Sequence, residues 1–229
     1  MTDIVLLPGV LCDQRLWAAA ADGLAATTHF PDFTAGDTIP AMAEMVLSQA
    51  PQRFALAGFS LGGAVAFEVF ARAPQRVTRL ALLSGAVQGL PEIVRQHFLR
   101  WIPLIESGGL GDYLADAFPG YIAPGRVHDR ALWEVFAAMG KAMGAAVAVR
   151  QMQALLAYPG YGGELGTIRC PVAIIGGAED RHATPEAHTK LSHQIPRAVL
   201  TIIAGAAHFT PLETPEAVKE SLRDLLARK

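Results

Sequence analysis

Cysteine and charge are both scarce in this chain. Cys12 and Cys170, the two cysteines in 229 residues, have neither the number for a disulfide framework nor CxxC spacing for zinc. Both read as buried apolar residues, which fits a reducing cytoplasm. Charged residues make up 17%, and 19 Lys+Arg against 21 Asp+Glu leave a net charge of -2 with no basic cluster, so nothing would grip a phosphate backbone. Nucleic acid is therefore excluded as a partner. No run reaches the roughly 18 apolar residues of a bilayer crossing, and the apolar stretch Ile4 to Leu7 has no basic residue ahead of it, as a secretory signal would. The expectation is a soluble, cytoplasmic protein without a membrane partner.

What the chain has in quantity is hydrophobic residues, 52%, enough for a substantial core and too many for a disordered chain. At roughly 100 to 200 residues per domain, this length suits one large domain or one domain with an insertion. Short apolar runs followed by glycine and then a helical pattern recur: Ile4 to Leu7 before Pro8-Gly9, Phe54 to Ala57 before Gly58, and Val172 to Ile175 before Gly176-Gly177. Near-continuous apolar runs are what strands look like when helices cover both faces of a sheet. Leu80 to Leu83 and Ala198 to Ile203 are further strands. Helical patterns cover Ile39 to Gln49, Gly62 to Arg72, and the stretch after Thr214-Pro215-Glu216, where Thr suits a cap and Pro the first turn. Alternating strands and helices give an α/β class with a mostly parallel sheet. The rhythm breaks between Ala86 and Thr167, where helical patterns dominate, notably Arg130 to Tyr158. The organisation expected is a core of residues 1–85 and 167–229 carrying a helical insertion, 86–166, that rests on the sheet as a cap or lid.

The sharpest chemical feature is Gly58-Phe59-Ser60-Leu61-Gly62, a Gly-x-Ser-x-Gly pattern at the end of a strand and the start of a helix. Such an elbow holds serine in a strained turn with its hydroxyl exposed, and the flanking small residues let strand and helix approach closely. A serine hydroxyl is a poor nucleophile until a base takes its proton, so a histidine and an orienting acid are required later in the chain. His208, in Gly205-Ala206-Ala207-His208-Phe209, directly follows a strand run, and Asp180, in Gly176-Gly177-Ala178-Glu179-Asp180, occupies the matching place after another. Loops at the carboxyl ends of parallel strands are where such sheets assemble their sites. Glu179 is the rival for the acid. His182, His188 and His193 match no metal-binding HExxH spacing and read as surface histidines on a helix.

With these parts in place, the sequence resembles the α/β-hydrolase family over nearly its whole length. The resemblance rests on the Pro8-Gly9 loop, the elbow at Ser60, the insertion after Leu83, the loop ending at Asp180, and Gly-x-x-His followed by Leu212-Glu213-x-Pro215. It implies a Ser60, His208, Asp180 triad and an acyl-enzyme mechanism. It also implies an oxyanion hole made by the backbone N–H of Leu61 and an N–H of the loop after the first strand, Val10 or, as the alternative, Leu11. Three departures stand out. Pro8-Gly9 replaces the family's frequent His-Gly, no amino-terminal hairpin precedes Ile4, so about six strands are expected, and Asp32 to Gly36 replaces an Arg-Gly-rich loop.

The function expected is hydrolysis of a small or medium carboxylic ester with an apolar moiety, with no metal or organic cofactor. Lactone hydrolysis, carbon–carbon bond hydrolysis and cofactor-free perhydrolysis use the same triad. A non-catalytic small-molecule binding protein is the reading from another class. Candidates for the substrate pocket are Leu11, Phe59, Phe209 and, from the insertion, Trp101, Phe118, Trp133 and Phe136, whose alternative role is packing helices together. Nothing in the sequence decides between a monomer and a homodimer.

Overall fold

The computed structural model describes residues 2–85 and 89–229, so the expected start of the insertion at Ala86 lies outside the described residues. Six strands form one sheet: β1 (Thr2–Leu7), β2 (Ala26–His29), β3 (Phe54–Phe59), β4 (Val77–Leu83), β5 (Val172–Gly177) and β6 (Ala198–Ile203). Their order is β2-β1-β3-β4-β5-β6 and every pairing is parallel. β3 and β5 are buried at every residue, as expected of strands covered on both faces. β2 and β6 are the half-exposed edges. The sequence reading passed over β2, whose Ala-Thr-Thr-His lacks an apolar run because it packs on one side only. His29 Nε2 lies 2.7 Å from Asp3 Oδ1 on β1, tying this edge strand down.

Helices fill the connections. α1 (Ala18–Ala21), α2 (Ile39–Gln49) and α3 (Leu61–Arg72) precede β4, and α8 (Pro185–Gln194), α9 (Thr210–Glu213) and α10 (Pro215–Ala227) follow β5. Between β4 and β5 lie α4 (Glu92–Glu106), α5 (Leu110–Tyr121), α6 (Arg130–Met143) and α7 (Ala145–Ala157). Asp129 caps α6 by accepting from the N–H groups of Ala131 and Leu132. The helical stretch expected over Arg130 to Tyr158 breaks at Gly144, whose φ of 82° ends α6, and α7 leaves at 92°. Thr214 precedes α10 without capping it; its hydroxyl instead donates to the Thr210 carbonyl. Cys12 is buried, whereas Cys170 is only partly so, against expectation. Among the described residues no single helix is long and apolar enough to cross a membrane.

One continuous apolar cluster joins the sheet to the helices between β4 and β5, running from Leu6, Leu56 and Ile174 to Phe98, Phe136 and Met152. Those helices therefore share the core of the sheet.

The junction of β3 with α3 is the tightest point of the fold. A Cβ on Gly58 would strike the Gly62 carbonyl, and one on Gly62 would strike the carbonyl of Leu7 and reach 2.7 Å from that of Pro8. Both contacts are backbone on backbone, so nothing flexible can yield. Gly62→Ala is expected to lower stability by about 2 kcal/mol or more, as overpacking does, and to push the loop after β1 away from the elbow. Denaturant midpoints of the variant and the parent check this; equal midpoints would show that the junction is looser than its contacts imply.

Candidate active site

The carboxyl ends of β1, β3, β4, β5 and β6 surround a cavity of about 300 Å³, roofed by side chains from α4 to α8. Among the described residues three that are not glycine have left-handed backbones: Leu11 (φ 55°), Ser60 (φ 52°) and Ser84 (φ 47°). They follow β1, β3 and β4, and all three line the cavity. Strain of this kind costs on the order of 1 to 3 kcal/mol per residue and collects at functional sites.

Ser60, His208 and Asp180 meet here in a hydrogen-bonded chain. His208 Nε2 lies 3.1 Å from Ser60 Oγ, and Nδ1 lies 2.9 Å from Asp180 Oδ2. The other Asp180 oxygen accepts from the N–H groups of His182 at 2.8 Å and Ala183 at 3.0 Å. Burial acts to raise the Asp180 carboxyl, but the neighbouring His208 and these hydrogen bonds outweigh it and bring its pKa down to about 2. Glu179, the rival acid, is exposed. Its N–H donates to the Ala206 carbonyl, which aligns the two loops that carry Asp180 and His208.

The loop of His208 is fixed from both sides. His208 N–H donates to the Tyr121 carbonyl at 3.0 Å. The buried carboxylate of Glu213 accepts from Ala207 N–H at 3.0 Å and from Ala123 N–H at 2.8 Å, bridging this loop to the end of α5. The Tyr121 ring packs 5.3 Å from that of His208, and Phe59 packs 5.2 Å from it.

Leu61 is the first residue of α3, so its N–H is one of the four that no helix satisfies internally, at the positive end of the helix dipole. Val10 lines the cavity. The N–H of Leu11, the alternative donor, is already committed to Gln151 Oε1 at 2.8 Å.

Of the expected pocket residues, Leu11, Phe59, Phe136 and Phe209 line the cavity, and Trp101, Phe118 and Trp133 do not. Trp101 turns its indole N–H to Asp116 at 2.8 Å and packs its ring on Tyr113. Phe118 and Trp133 pack edge to face, 5.4 Å apart, between α5 and α6. These rings were large enough to be pocket or core, and spacing alone did not separate the two. The wall includes residues the sequence reading passed over, among them Tyr113, Tyr121, Leu114 and Leu155.

His182 and His188 also line the cavity, which corrects their reading as surface histidines; the loop after β5 turns inward at Asp180 and carries His182 with it. His182 stands 4.7 Å from the Tyr121 ring and 5.5 Å from that of His208. Asp180, His182 and His208 bring potential metal-ligand atoms within 4.8 Å of one another. Both Asp180 oxygens and both ring nitrogens of His208 are already engaged within the chain described above, so the set is not free to hold an ion.

Burial, together with His208, His97 and Arg181, lowers the His182 pKa to about 4 against an opposing pull from Asp180. An unfolded chain would therefore take up a proton on this histidine as the pH falls below 6.5 while the native state would not. The stability present above that pH is lost progressively down to about 4, on the order of 3 kcal/mol at about 1.4 kcal/mol per pKa unit. His182→Phe is expected to flatten the decline in stability between those limits, read as denaturant midpoint against pH. An unchanged slope would mean that His182 is not the group responsible.

The model of the Alpha/beta hydrolase family matches residues 4–220. A biotin biosynthesis bifunctional protein BioHC from Cellvibrio japonicus is 29% identical over 151 residues, covering 56% of this chain and 28% of that protein. A pimeloyl-[acyl-carrier protein] methyl ester esterase from Vibrio parahaemolyticus is 34% identical over 94 residues, 37% of each. The chain thus spans about a third of the length of these curated relatives. Among solved structures, a thermophilic esterase from Thermogutta terrifontis superposes with a TM-score of 0.88 at 21% identity, covering 99% of this chain and 89% of that one. The enol-lactonase from Burkholderia xenovorans LB400 gives 0.84 at 20% identity, covering 99% and 92%. The six-stranded parallel sheet agrees with these neighbours, and the extent of the family match settles the matter: this chain belongs to the alpha/beta hydrolase family.

Proposed function

We propose that the protein is a serine hydrolase that cleaves an uncharged carboxylic ester of small or medium size. The observation that carries this reading is the Ser60–His208–Asp180 hydrogen-bond chain, at 3.1 and 2.9 Å, opening onto a mostly apolar cavity. The partial match to methyl ester esterases supports the ester as the bond attacked. No Asp, Glu, Lys or Arg is among the residues that line the cavity, so a charged group on the enclosed part of the substrate would be desolvated without a counter-ion. The described part of the expected insertion, residues 89–166, serves as the cap that shapes the enclosed space.

In this mechanism Ser60 Oγ attacks the ester carbonyl as its proton passes to His208 Nε2. Asp180 holds Nδ1–H of the ring, fixing the tautomer and stabilising the imidazolium that forms. The tetrahedral oxyanion accepts from the N–H groups of Val10 and Leu61, a contribution worth about 3 kcal/mol or more per donor in a protease. Collapse expels the alcohol with the proton from His208. Water, giving one proton to His208, then attacks the acyl-enzyme; collapse breaks the bond to Ser60 Oγ, which takes that proton back from His208, and the acid departs.

A serine-directed phosphonate is expected to label Ser60, identified on the modified peptide by mass spectrometry, and Ser60→Ala should lose about three or more orders of magnitude in turnover. Asp180→Asn should fall by up to about ten-thousandfold, as loss of the correct tautomer does in a protease, while Glu179→Gln keeps most of its rate. Labelling of another serine, or a fast Asp180→Asn enzyme, would overturn the assignment.

Substrate range should follow the residues that line the cavity. Phe136→Ala is expected to shift preference in a series of nitrophenyl esters toward longer acyl chains. Trp101→Ala, which lies behind the wall, should leave that preference alone and lower stability by about 3 to 5 kcal/mol. The reverse pattern would mean that the bound acyl chain lies along Trp101.

A further inference from the structure

We infer that Gln151 is a positioning residue for the oxyanion hole, acting from the helices between β4 and β5 on the loop after β1. This rests on the hydrolase reading above and adds to it a residue that the motif pattern does not contain.

Cys12 N–H donates to the Gly9 carbonyl at 3.1 Å, closing a four-residue turn with Val10 and Leu11 at its centre. Leu11 occupies the third position with φ 55°. With Val10, the second residue, outside the positive-φ region, a left-handed third residue makes this a type II turn, a place that ordinarily selects glycine or asparagine. Leucine there carries a steric cost of about 1 to 2 kcal/mol. The competing type I turn removes that cost by flipping the central peptide, which exchanges the directions of the Val10 carbonyl and the Leu11 N–H.

Two contacts oppose the flip. Gln151 Oε1, on α7, accepts from Leu11 N–H at 2.8 Å across 140 residues of sequence, and both residues are buried. At the other end of the same peptide, Cys12 Sγ donates to the Val10 carbonyl at 3.3 Å. The central peptide is thereby held at its N–H and at its C=O. The stronger hold is the amide, because leaving a buried N–H unpaired costs about 1 to 3 kcal/mol, comparable to what the flip would recover. Gln151 also decides which donor the hole uses: with Leu11 N–H consumed, Val10 N–H is the one left to face the reacting carbonyl.

The chemistry that follows is specific. The flip leaves the N–H of Val10, on the preceding peptide, unrotated, and what it costs the hole is the rigidity of the loop that carries that donor. The donor is needed only when negative charge develops, so turnover falls while ground-state binding of the ester does not. Gln151→Met fills nearly the same space without an amide acceptor. It is expected to lower kcat about ten- to a hundredfold, short of the roughly hundred- to thousandfold seen when a donor is removed outright, with KM changed less than about threefold. Affinity for a trifluoromethyl ketone, which mimics the tetrahedral oxyanion, should fall in parallel with kcat. Gln151→Glu keeps an oxygen for Leu11 N–H and should hold kcat within about threefold of the parent. In the Gln151→Met background, Leu11→Gly should recover part of the lost rate, because glycine takes the left-handed position without help.

Wild-type kcat and ketone affinity in a folded Gln151→Met enzyme would overturn the inference. So would a folded Gln151→Glu enzyme slowed about tenfold or more against the parent, a measurement that decides the matter even where Gln151→Met fails to fold. Failure of the hydrolase reading itself looks different: Ser60→Ala would then retain the parent's rate.

Discussion

Ser60 can present its hydroxyl only because its backbone is left-handed, and the rest of the site is arranged around that constraint. A φ of 52° and a ψ of -113° take β3 directly into α3 with no intervening loop. The chain cannot turn so sharply unless the elements on either side lie almost in contact. Gly58 and Gly62 allow this, the first against the helix and the second against the end of β1. One contact therefore performs two tasks. It brings the N-terminus of α3 up behind Ser60, and it sets the loop after β1, with Val10 and Leu11, beside the same hydroxyl. The strain at Leu11 and Ser84 belongs to the same geometry, since β1 and β4 flank β3 in the sheet and each ends at the cavity.

The helices inserted after β4 do more than enclose space. Their contacts with the core include three buried polar ones at the places where chemistry would occur: Gln151 on Leu11, Glu213 between Ala123 and Ala207, and the Tyr121 carbonyl on His208 N–H. Buried polar groups are costly unless paired, so each contact resists sliding of the inserted helices over the sheet more than an apolar contact would. Movement that opened the cavity widely would break them together and release both the loop after β1 and the loop of His208. On the proposed reading, this favours entry of substrate by local side-chain motion over displacement of helices α4 to α7 as a body.

Much of this was legible in the sequence, and the exceptions have physical causes. Interior strands announce themselves as unbroken apolar runs because both faces are covered, which is why β3, β5 and the cores of β1 and β4 could be read directly. β2 could not, since an edge strand packed on one side keeps polar residues. The elbow, Asp180 and His208 were legible because each depends on local chain chemistry: a turn that requires glycine, or a loop that directly follows a strand. His182 was misread because its burial depends on which way the loop after β5 turns. Trp101, Phe118 and Trp133 stayed open between pocket and packing because a large ring in a helical pattern has the same spacing whether it faces a cavity or a neighbouring helix. Gln151 carried no signal at all, being one amide in a largely apolar helical stretch, 140 residues from the N–H it serves.

The choice between the two adjacent carboxylates shows how a local rule becomes an electrostatic one. An aspartate at the start of a turn is short enough to accept from the N–H groups two and three residues ahead, and Asp180 does so with Oδ1 on His182 and Ala183. That bond pair orients the carboxylate whether or not His208 is charged, and it leaves Oδ2 aimed at Nδ1 of the ring. A glutamate in its place would carry an extra methylene and a further torsion to immobilise, and would fit this turn poorly. His208 first, and after it the same two N–H donors, outweigh the cost of burying the charge, so the carboxyl sits at a pKa of about 2 in a setting where burial alone would raise it. The Asp180 carboxylate is thus ionised throughout the neutral range and held in place by its own turn. Glu179, one residue earlier and exposed, contributes through its backbone N–H, which holds the neighbouring loop in register while its side chain remains in solvent.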